Sequence, residues 1–576
     1  MATNPLFATK NLRDILAEAE GHGRLKRVLG PLGLIALGVG AIIGAGIFVS
    51  TGKAAAETAG PALMLSFVVA GMTCVFAALC YAEFAGMAPV AGSAYTYAYC
   101  SLGELFAWII GWDLVLEYAV GSATVANGWS SYFQVILKKA GFLIPMTLTA
   151  APVTFDDGVV RVNYFAERTV MVGEREKTIR YTHKLVEVKD GAGKAQRVLK
   201  WVDTEDRKVY GDAGDPEVEK QFSVISRSYV NLPAVVIVLI ITVFLIVGIS
   251  ESASFNAVMV FIKLFAVLFV ILVGAFFVNP ENWTNNFAPF GYGGFSFFGI
   301  TQLTIGQTVE GRPVGMLAGA AIIFFSYIGF DAVSTQAEEA KNPGRDVPIG
   351  IIGSLIVCTI LYIGVVAVLT GMVPYSQIDT GAGVSSAFRS AAGVDGVSDA
   401  VKSILISSEA IIAIAGVAGI TSVLLVMMLS GPRVLLAMAR DGLIPKGFFA
   451  SVHPKFQTPW LSTIAVSVFV MVLAGVLPID ALLELTNMGT LFAFAVVCAA
   501  VLVMRRINPE AHRPFRCPMV PVIPVLGILS CLMLMLSLPV GNWLRLIVWL
   551  GLGLLIYFLY GRHHSELRKA NQSAAN

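Results

Sequence analysis

Charge is the first thing this sequence has little of. Only 14 % of its 576 residues are Asp, Glu, Lys or Arg, against about 25 % in an ordinary soluble domain. The 40 basic and 38 acidic residues leave a net charge of +2. A nucleic-acid binder needs a basic field, and none exists here. Histidine is sparse as well. His22, His183, His453, His512, His563 and His564 all lie outside the apolar runs, which argues against an intramembrane imidazole relay or metal site. The cysteines, at 74, 80, 100, 358, 498, 517 and 531, form no CxxC pair and avoid the most polar stretch. No disulfide framework is therefore expected. The chain has no GxxxxGK[ST] loop, which disfavours an ATP-driven pump. It also lacks HExxH and GxSxG, which disfavours an enzyme. No cofactor is expected.

What the sequence has instead is apolar length. Hydrophobic residues make up 56 % of it, in windows of about 20 residues that fit a bilayer core. Twelve spans are expected, near 31–51, 61–87, 103–136, 231–249, 253–278, 317–338, 348–372, 403–430, 459–477, 481–504, 519–539 and 543–561. The fold class is therefore an all-α polytopic membrane protein. Residues 1–29 are polar and do not resemble a cleavable signal peptide. With the N-terminus in the cytoplasm, the inner segments carry 18 Lys and Arg and the short outer loops carry 5. That bias puts both termini inside and residues 138–230 outside. The expected division is a cytoplasmic tail at 1–30, spans one to three within 31–137, an insert at 138–230, spans four to twelve within 231–561, and a second cytoplasmic tail at 562–576.

The insert holds 30 of its 93 residues as charges, and long loops translocate largely regardless of charge. Its 178–188 segment alternates in places, 190–193 (Asp-Gly-Ala-Gly) offers a turn, and 196–202 continues. A small extracytoplasmic β-rich domain is expected. Whether it decorates the protein or captures a partner stays open, and no protein partner is named for it.

Two spans read as broken helices. Five glycines crowd Gly33 to Gly46, with Gly44-Ala45-Gly46 in mid-span. In the sixth span, Gly329 follows an aromatic run with Ser326 and Tyr327 at depth. Glycine alone often serves close helix packing. Two interruptions in corresponding places of two five-helix halves point instead to an inverted-repeat transporter. A half-helix N-terminus offers N–H groups to a carboxylate, and freed carbonyls accept from an ammonium. Such a pair of breaks reads a zwitterion, an α-amino acid.

Intramembrane charges are the other candidates. Lys263 has apolar residues for five positions on either side, about 16 Å along a helix from Ser252. Burying an ammonium there costs about 2.5–3.5 kcal/mol on an insertion scale. Desolvation disfavours a charged amine, which makes proton release feasible. Asp113 and Glu117 share one face of span three at i, i+4. Glu117 is the deeper and is the candidate partner for Lys263 or for a substrate amine. Asp113 reads as a structural or interfacial charge. Glu83, Glu409, Asp331, Glu338 and Glu339 read as gate or packing charges.

Three segments resemble a known family. Leu25–Phe48 (LKRVLGPLGLIALGVGAIIGAGIF), Ser326–Pro343 (SYIGFDAVSTQAEEAKNP) and Pro432–Leu443 (PRVLLAMARDGL) are similar to bacterial members of the cationic amino acid transporter family, within the amino acid–polyamine–organocation superfamily. The resemblance covers all twelve spans and leaves out 138–230. It implies a LeuT-like 5+5 inverted repeat with two peripheral spans. It implies that Ile42, Gly44, Ala45 and Gly46 bind the substrate's backbone groups. Around the second break it implies Phe325, Ser326, Tyr327, Ile328 and Gly329, with the carbonyls of 325, 326 and 328 holding the ammonium. Phe330 is implied as an aromatic gate. Ala45 departs from relatives with Ser or Thr and leaves a carboxylate to backbone N–H groups. Lys263 is implied to couple transport to protons by standing where other members hold a sodium ion.

The resulting expectation is secondary active, proton-coupled uptake of neutral or broad-range L-amino acids by alternating access, in a cell membrane. The partners are an amino acid, protons and lipid, and not nucleic acid. Span eight, Ile411–Leu425, offers no carboxylate for a cationic side chain. Two alternatives stand beside this reading. One is an amino acid/amine antiporter. The other, of a different class, is a non-transporting nutrient sensor with the insert as its partner module.

Overall fold

The computed structural model describes the chain apart from residues 1–4, 12–28, 89–91, 143, 157–158, 173–174, 190–194, 204–208, 248–251, 299, 310–311, 379, 381–382, 393–397, 457 and 576. Arg13, Arg24, Lys26, Arg27 and the expected turn at 190–193 thus lie outside the described residues. So do the side chains of Glu338 and Glu339.

The first apolar run does not form one helix. Helix α1 spans Pro31–Ile42, with proline in its first turn, where a missing N–H costs nothing. Ile43 is extended, and helical structure resumes at Gly46. The principal helices that follow are α2 (Leu63–Met87), α3 (Glu104–Lys139), α4 (Leu232–Val247), α5 (Ser252–Gly274) and α6 (Met316–Ile323). Then come α7 (Pro343–Met372), α8 (Asp399–Arg440), α9 (Trp460–Val476), α10 (Ile479–Ile507), α11 (Val522–Ser537) and α12 (Val540–Ile556). Past α6 the sixth run tightens to a 3₁₀ turn at Phe324–Tyr327, turns, and restarts at Asp331–Glu339. Among the described residues, eight helical stretches are long and apolar enough to cross a membrane, and four more apolar helices are shorter.

Which helices face lipid follows from burial. On α5, Phe261, Phe265, Leu268 and Leu272 are exposed while Lys263, Ala266, Val267 and Val270 are buried. The helix therefore has an apolar outer face and a face turned into the bundle. Helix α12 carries Leu544, Ile547, Val548, Leu552 and Leu555 on its surface. A band of this kind would drive aggregation in water and is at home in acyl chains. The α3 helix and the broken Met316–Ser334 run are the most enclosed. Small residues permit close crossings in the interior. Gly38 of α1 abuts Ser354 of α7, and Gly350 of α7 abuts Leu34.

Ion pairs tie the helix ends. Buried Glu83 on α2 accepts from Arg505 Nε at 2.9 Å, Arg513 Nε at 3.2 Å and the Cys517 N–H at 2.8 Å. Buried Glu104, at the start of α3, accepts from Tyr557 and Arg568, both at 2.8 Å. Near the N-terminus, Lys10 pairs with Asp441 at 3.0 Å. Glu409 is shared by Lys139 at 2.7 Å and Arg389 at 3.4 Å. These pairs place Glu83 and Glu409 at helix-end contacts, away from both breaks.

Between α3 and α4 the chain leaves the helical bundle. A hairpin of β1 (Val153–Asp156) and β2 (Val159–Val162) precedes a five-stranded antiparallel sheet. The sheet consists of β3 (Tyr164–Val172), β4 (Arg175–Lys189), β5 (Ala195–Asp203), β6 (Val209–Asp212) and β7 (Val224–Arg227), in the order β6-β5-β4-β3-β7. Strands β4 and β5 pair with His183 opposite Trp201. Ala166, Tyr181, Trp201 and Phe222 form the insert's own small core.

Candidate functional site

The two helix breaks touch. A Cβ on Gly46 would lie 2.6 Å from Ser326 Oγ and closer still to the Ser326 Cα. Gly329 has φ +114, and a Cβ there would lie 2.7 Å from the Ala41 carbonyl oxygen. Both positions therefore require glycine, one for approach and one for approach and conformation. The first break is walled by α3 and α8. Gly44 faces Val423, and Ala45 packs against Gly128. Ile42, Ala45, Phe325, Ser326 and Ile328 are all buried here.

The freed carbonyls have specific donors. Lys263 Nζ donates to the carbonyl of Gly40, and to that of Ile43 at 3.0 Å. Its stem passes Gly419 of α8, where a Cβ would sit 2.9 Å from Lys263 Cβ. Among the described residues no carboxylate pairs with this ammonium. Tyr362 of α7 donates to Ile42 O at 3.0 Å and lies 2.9 Å from Ser326 O, so one hydroxyl spans both breaks. Asn487 of α10 donates to Ala321 O at 2.9 Å and Ile322 O at 3.2 Å, at the end of α6. Tyr132 donates to Phe48 O at 2.7 Å. Sequence reasoning missed Tyr362, Asn487 and Tyr132. Each is a hydrogen-bonding side chain deep in a helix, a weaker signal than the intramembrane charge that singled out Lys263.

The expected Lys263–Glu117 contact is not formed. Lys263 turns to α1, while Glu117 shares a buried pocket with Asp331, Asp113 and the Thr490 hydroxyl. Among the described residues no hydrogen-bond partner reaches the carboxylate oxygens of Glu117 or Asp113. Asp331 accepts from Tyr118 at 2.8 Å and from the Gly329 N–H at 3.2 Å. Glu117 is 11 residues before Gly128 on α3, so about 16 Å along the helix from the Ala45 contact. The reason is register: the i, i+4 face that carries Asp113 and Glu117 meets α10 and the Asp331 segment, not α5.

The remaining expected residues separate by side chain and backbone. Ser326 Oγ is buried, unpaired and turned toward Gly46. The Tyr327 hydroxyl points away, donating to Phe67 O at 2.8 Å, so only its backbone adjoins the break. Phe330 lies in an aromatic cluster with Tyr81 and Phe494, at centroid distances of 5.9 and 4.9 Å. Among the described residues no group of three or more His, Cys, Asp or Glu is arranged to hold a metal.

Comparison with known proteins shows the family. The family described as amino acid permease matches residues 29–555. The chain is 41 % identical to the branched-chain amino acid permease BcaP of Bacillus subtilis, over 98 % of this chain and 99 % of that protein. It is 38 % identical to the methylthioribose transporter of the same organism, over 98 % and 99 %. It is 32 % identical to the vacuolar cationic amino acid transporter 4 of Arabidopsis thaliana, over 88 % and 68 %. These relatives are permeases and transporters rather than enzymes. With its apolar helices and a match over nearly its whole length, the chain is a multi-pass membrane protein belonging to the amino acid permease family.

Proposed function

We propose that the protein is a proton-coupled permease for amino acids with neutral side chains, working by alternating access. The substrate's carboxylate meets the N–H groups of Gly44, Ala45 and Gly46. Its ammonium meets carbonyls at Phe325, Ser326 and Ile328, with the Ser326 hydroxyl beside it. A helix that restarts in mid-membrane leaves its first N–H groups without internal partners, which suits an anion. The apolar wall of Val423 and the distance to Glu117 support a neutral side chain, since a buried cation needs a paired carboxylate. The branched-chain amino acids named for one Bacillus subtilis relative agree with a neutral pocket.

One observation carries the coupling: Lys263 Nζ occupies the carbonyls of Gly40 and Ile43 at the end of α1. A charged ammonium offers three donors and binds the α1 terminus to α5. A neutral amine keeps only two donors and binds carbonyls more weakly. Proton loss at Lys263 thus loosens α1 from α5, and proton gain refastens it. Glu117 and Asp331, a buried acidic pair, also take part in proton movement. Phe330 closes the path below the second break.

The proposal extends to topology. The eight long stretches, the shorter α4, α9 and α11, and the division of Gly46–Met87 between the end of span one and all of span two make twelve crossings in a 5+5 repeat with two peripheral helices. Both termini are cytoplasmic and the sheet of the insert is extracytoplasmic, in a cell membrane.

The test is uptake into proteoliposomes of labelled isoleucine, methionine and arginine, with and without an inward proton gradient. Wild type concentrates the neutral substrates only with the gradient, and Lys263→Ala loses that dependence. Gradient-independent exchange against preloaded substrate in wild type would replace symport with antiport. Preference for arginine would overturn the neutral pocket.

A further inference from the structure

A groove of about 780 Å³ opens on the surface where α7 begins, away from both helix breaks. Lys341 and Arg345 stand at one end, Ile349, Ile352 and Ile356 run along the helix, and Phe515 faces them from the segment before α11. The spacing 345, 349, 352, 356 follows one face of a helix. Ile349 and Ile356 are exposed, so the stripe opens to the surrounding acyl chains.

Two cations line the groove. Lys10, Lys446, Arg505, Arg513 and Arg568 all meet carboxylates at their helix ends. Lys341 and Arg345 are exposed and form no ion pair or side-chain hydrogen bond with a described residue. Among the described residues no acidic side chain lines the groove. Asp346 is buried and turned back to accept from the Asn342 N–H at 3.1 Å. The one carboxylate at this helix end is thereby turned away from the groove, which leaves the two cationic side chains as its charged groups.

We propose that this groove is a site for a membrane phospholipid with an anionic head group. Lys341 and Arg345 take the phosphate, and the isoleucine stripe and Phe515 take an acyl chain. Basic pockets at the membrane interface recognise such lipids by this combination, and arginine matches phosphate geometry. The inference rests on the multi-pass fold and not on the transport mechanism or on which leaflet is cytoplasmic. The site bears on α1 as well. The Lys341 N–H donates to Leu29 O at 2.8 Å, and Gly350 and Gly353 pack on Leu34 and Ile35. A lipid held here therefore braces α7 against the helix that ends at the first break.

The experiment is native mass spectrometry of the full chain from nanodiscs of phosphatidylcholine with a minor fraction of phosphatidylglycerol. Wild type retains phosphatidylglycerol over phosphatidylcholine. Lys341→Gln with Arg345→Gln weakens that retention about tenfold or more. The exchange Lys341→Arg with Arg345→Lys keeps it, which separates charge recognition from misfolding. Arg506→Gln with Arg562→Gln, an equal change of charge at other exposed sites, also keeps it. Equal retention of both lipids by wild type, or undiminished retention by the Gln pair, overturns the proposal. An equal loss in the Arg506/Arg562 control overturns it as well. Displacement of the lipid by inorganic phosphate would make this a free-anion site and overturn the lipid assignment.

Discussion

At the scale of single residues, the breaks depend on two kinds of side chain: those that are missing and those that hold carbonyls. Gly46 is the sharpest case of the first kind. A methyl there would fall within 2.6 Å of Ser326 Oγ, and the obstruction includes backbone, which cannot swing aside. Gly46→Ala is expected to cut uptake, normalised to the amount of folded protein recovered, to below about a tenth. Normal uptake by that variant would mean the breaks separate freely. Tyr362 is the case of the second kind. Tyr362→Phe keeps the ring and removes one hydroxyl that bridges Ile42 O and Ser326 O. A net hydrogen bond is worth about 0.5–1.5 kcal/mol, so transport at limiting substrate should fall about threefold to tenfold. An unchanged rate would show that the bridge does not form during the cycle.

At the scale of elements, the sequence carried local features and lost distant ones. Glycine crowding before Gly46 and at Gly329 coincides with where α1 ends and where the sixth run turns, because a chain that must bend or touch needs residues without Cβ. The alternating segments at 178–188 and 196–202 lie within β4 and β5 for the analogous reason of strand periodicity. The partner of Lys263 was not legible. Its carbonyl acceptors lie more than 200 positions away, and backbone acceptors have no residue type to betray them. Depth along span three brought Glu117 into view as a partner for Lys263 or a substrate amine, and tertiary packing turns it away from Lys263. The insert gives a prediction of its own. His183 lies against Trp201 at a centroid distance of 3.8 Å and Tyr164 at 5.4 Å, with Nε2 unpaired. Burial there lowers its pKa from the ordinary imidazole value. The unfolded insert therefore binds the proton more readily. The stabilising contribution is full above about pH 6.5 and is lost as pH falls through the lower folded value. Hydrogen exchange in β4 and β5, corrected for intrinsic rates, should quicken between pH 7.5 and 5.5 in wild type and change less in His183→Phe. Equal changes in both would remove His183 as the cause.

At the scale of the whole molecule, the charge bias of the short loops fixes which way the bundle should sit in the bilayer, and the chain's own cysteines make that measurable. All seven are free thiols in buried positions, so the native protein should react little with a membrane-impermeant maleimide. Glu217, in the insert, and Lys569, near the C-terminus, both have well-exposed side chains. The excess of Lys and Arg on one set of short loops predicts that Glu217→Cys is labelled in intact cells and that Lys569→Cys is labelled only after permeabilisation. The reverse pattern would invert the protein without disturbing a single contact inside it. It would also invert the meaning of the ion pairs. Lys139 and Arg389 on Glu409 would then fasten the cytoplasmic side, and the tethers from Lys10 to Asp441 and from Arg568 to Glu104 would fasten the outer one. With the predicted pattern, both tails are held against the inner ends of α3 and α8. The half-helix that Lys263 secures then lies on the cytoplasmic side, where the proposed uptake would release its substrate.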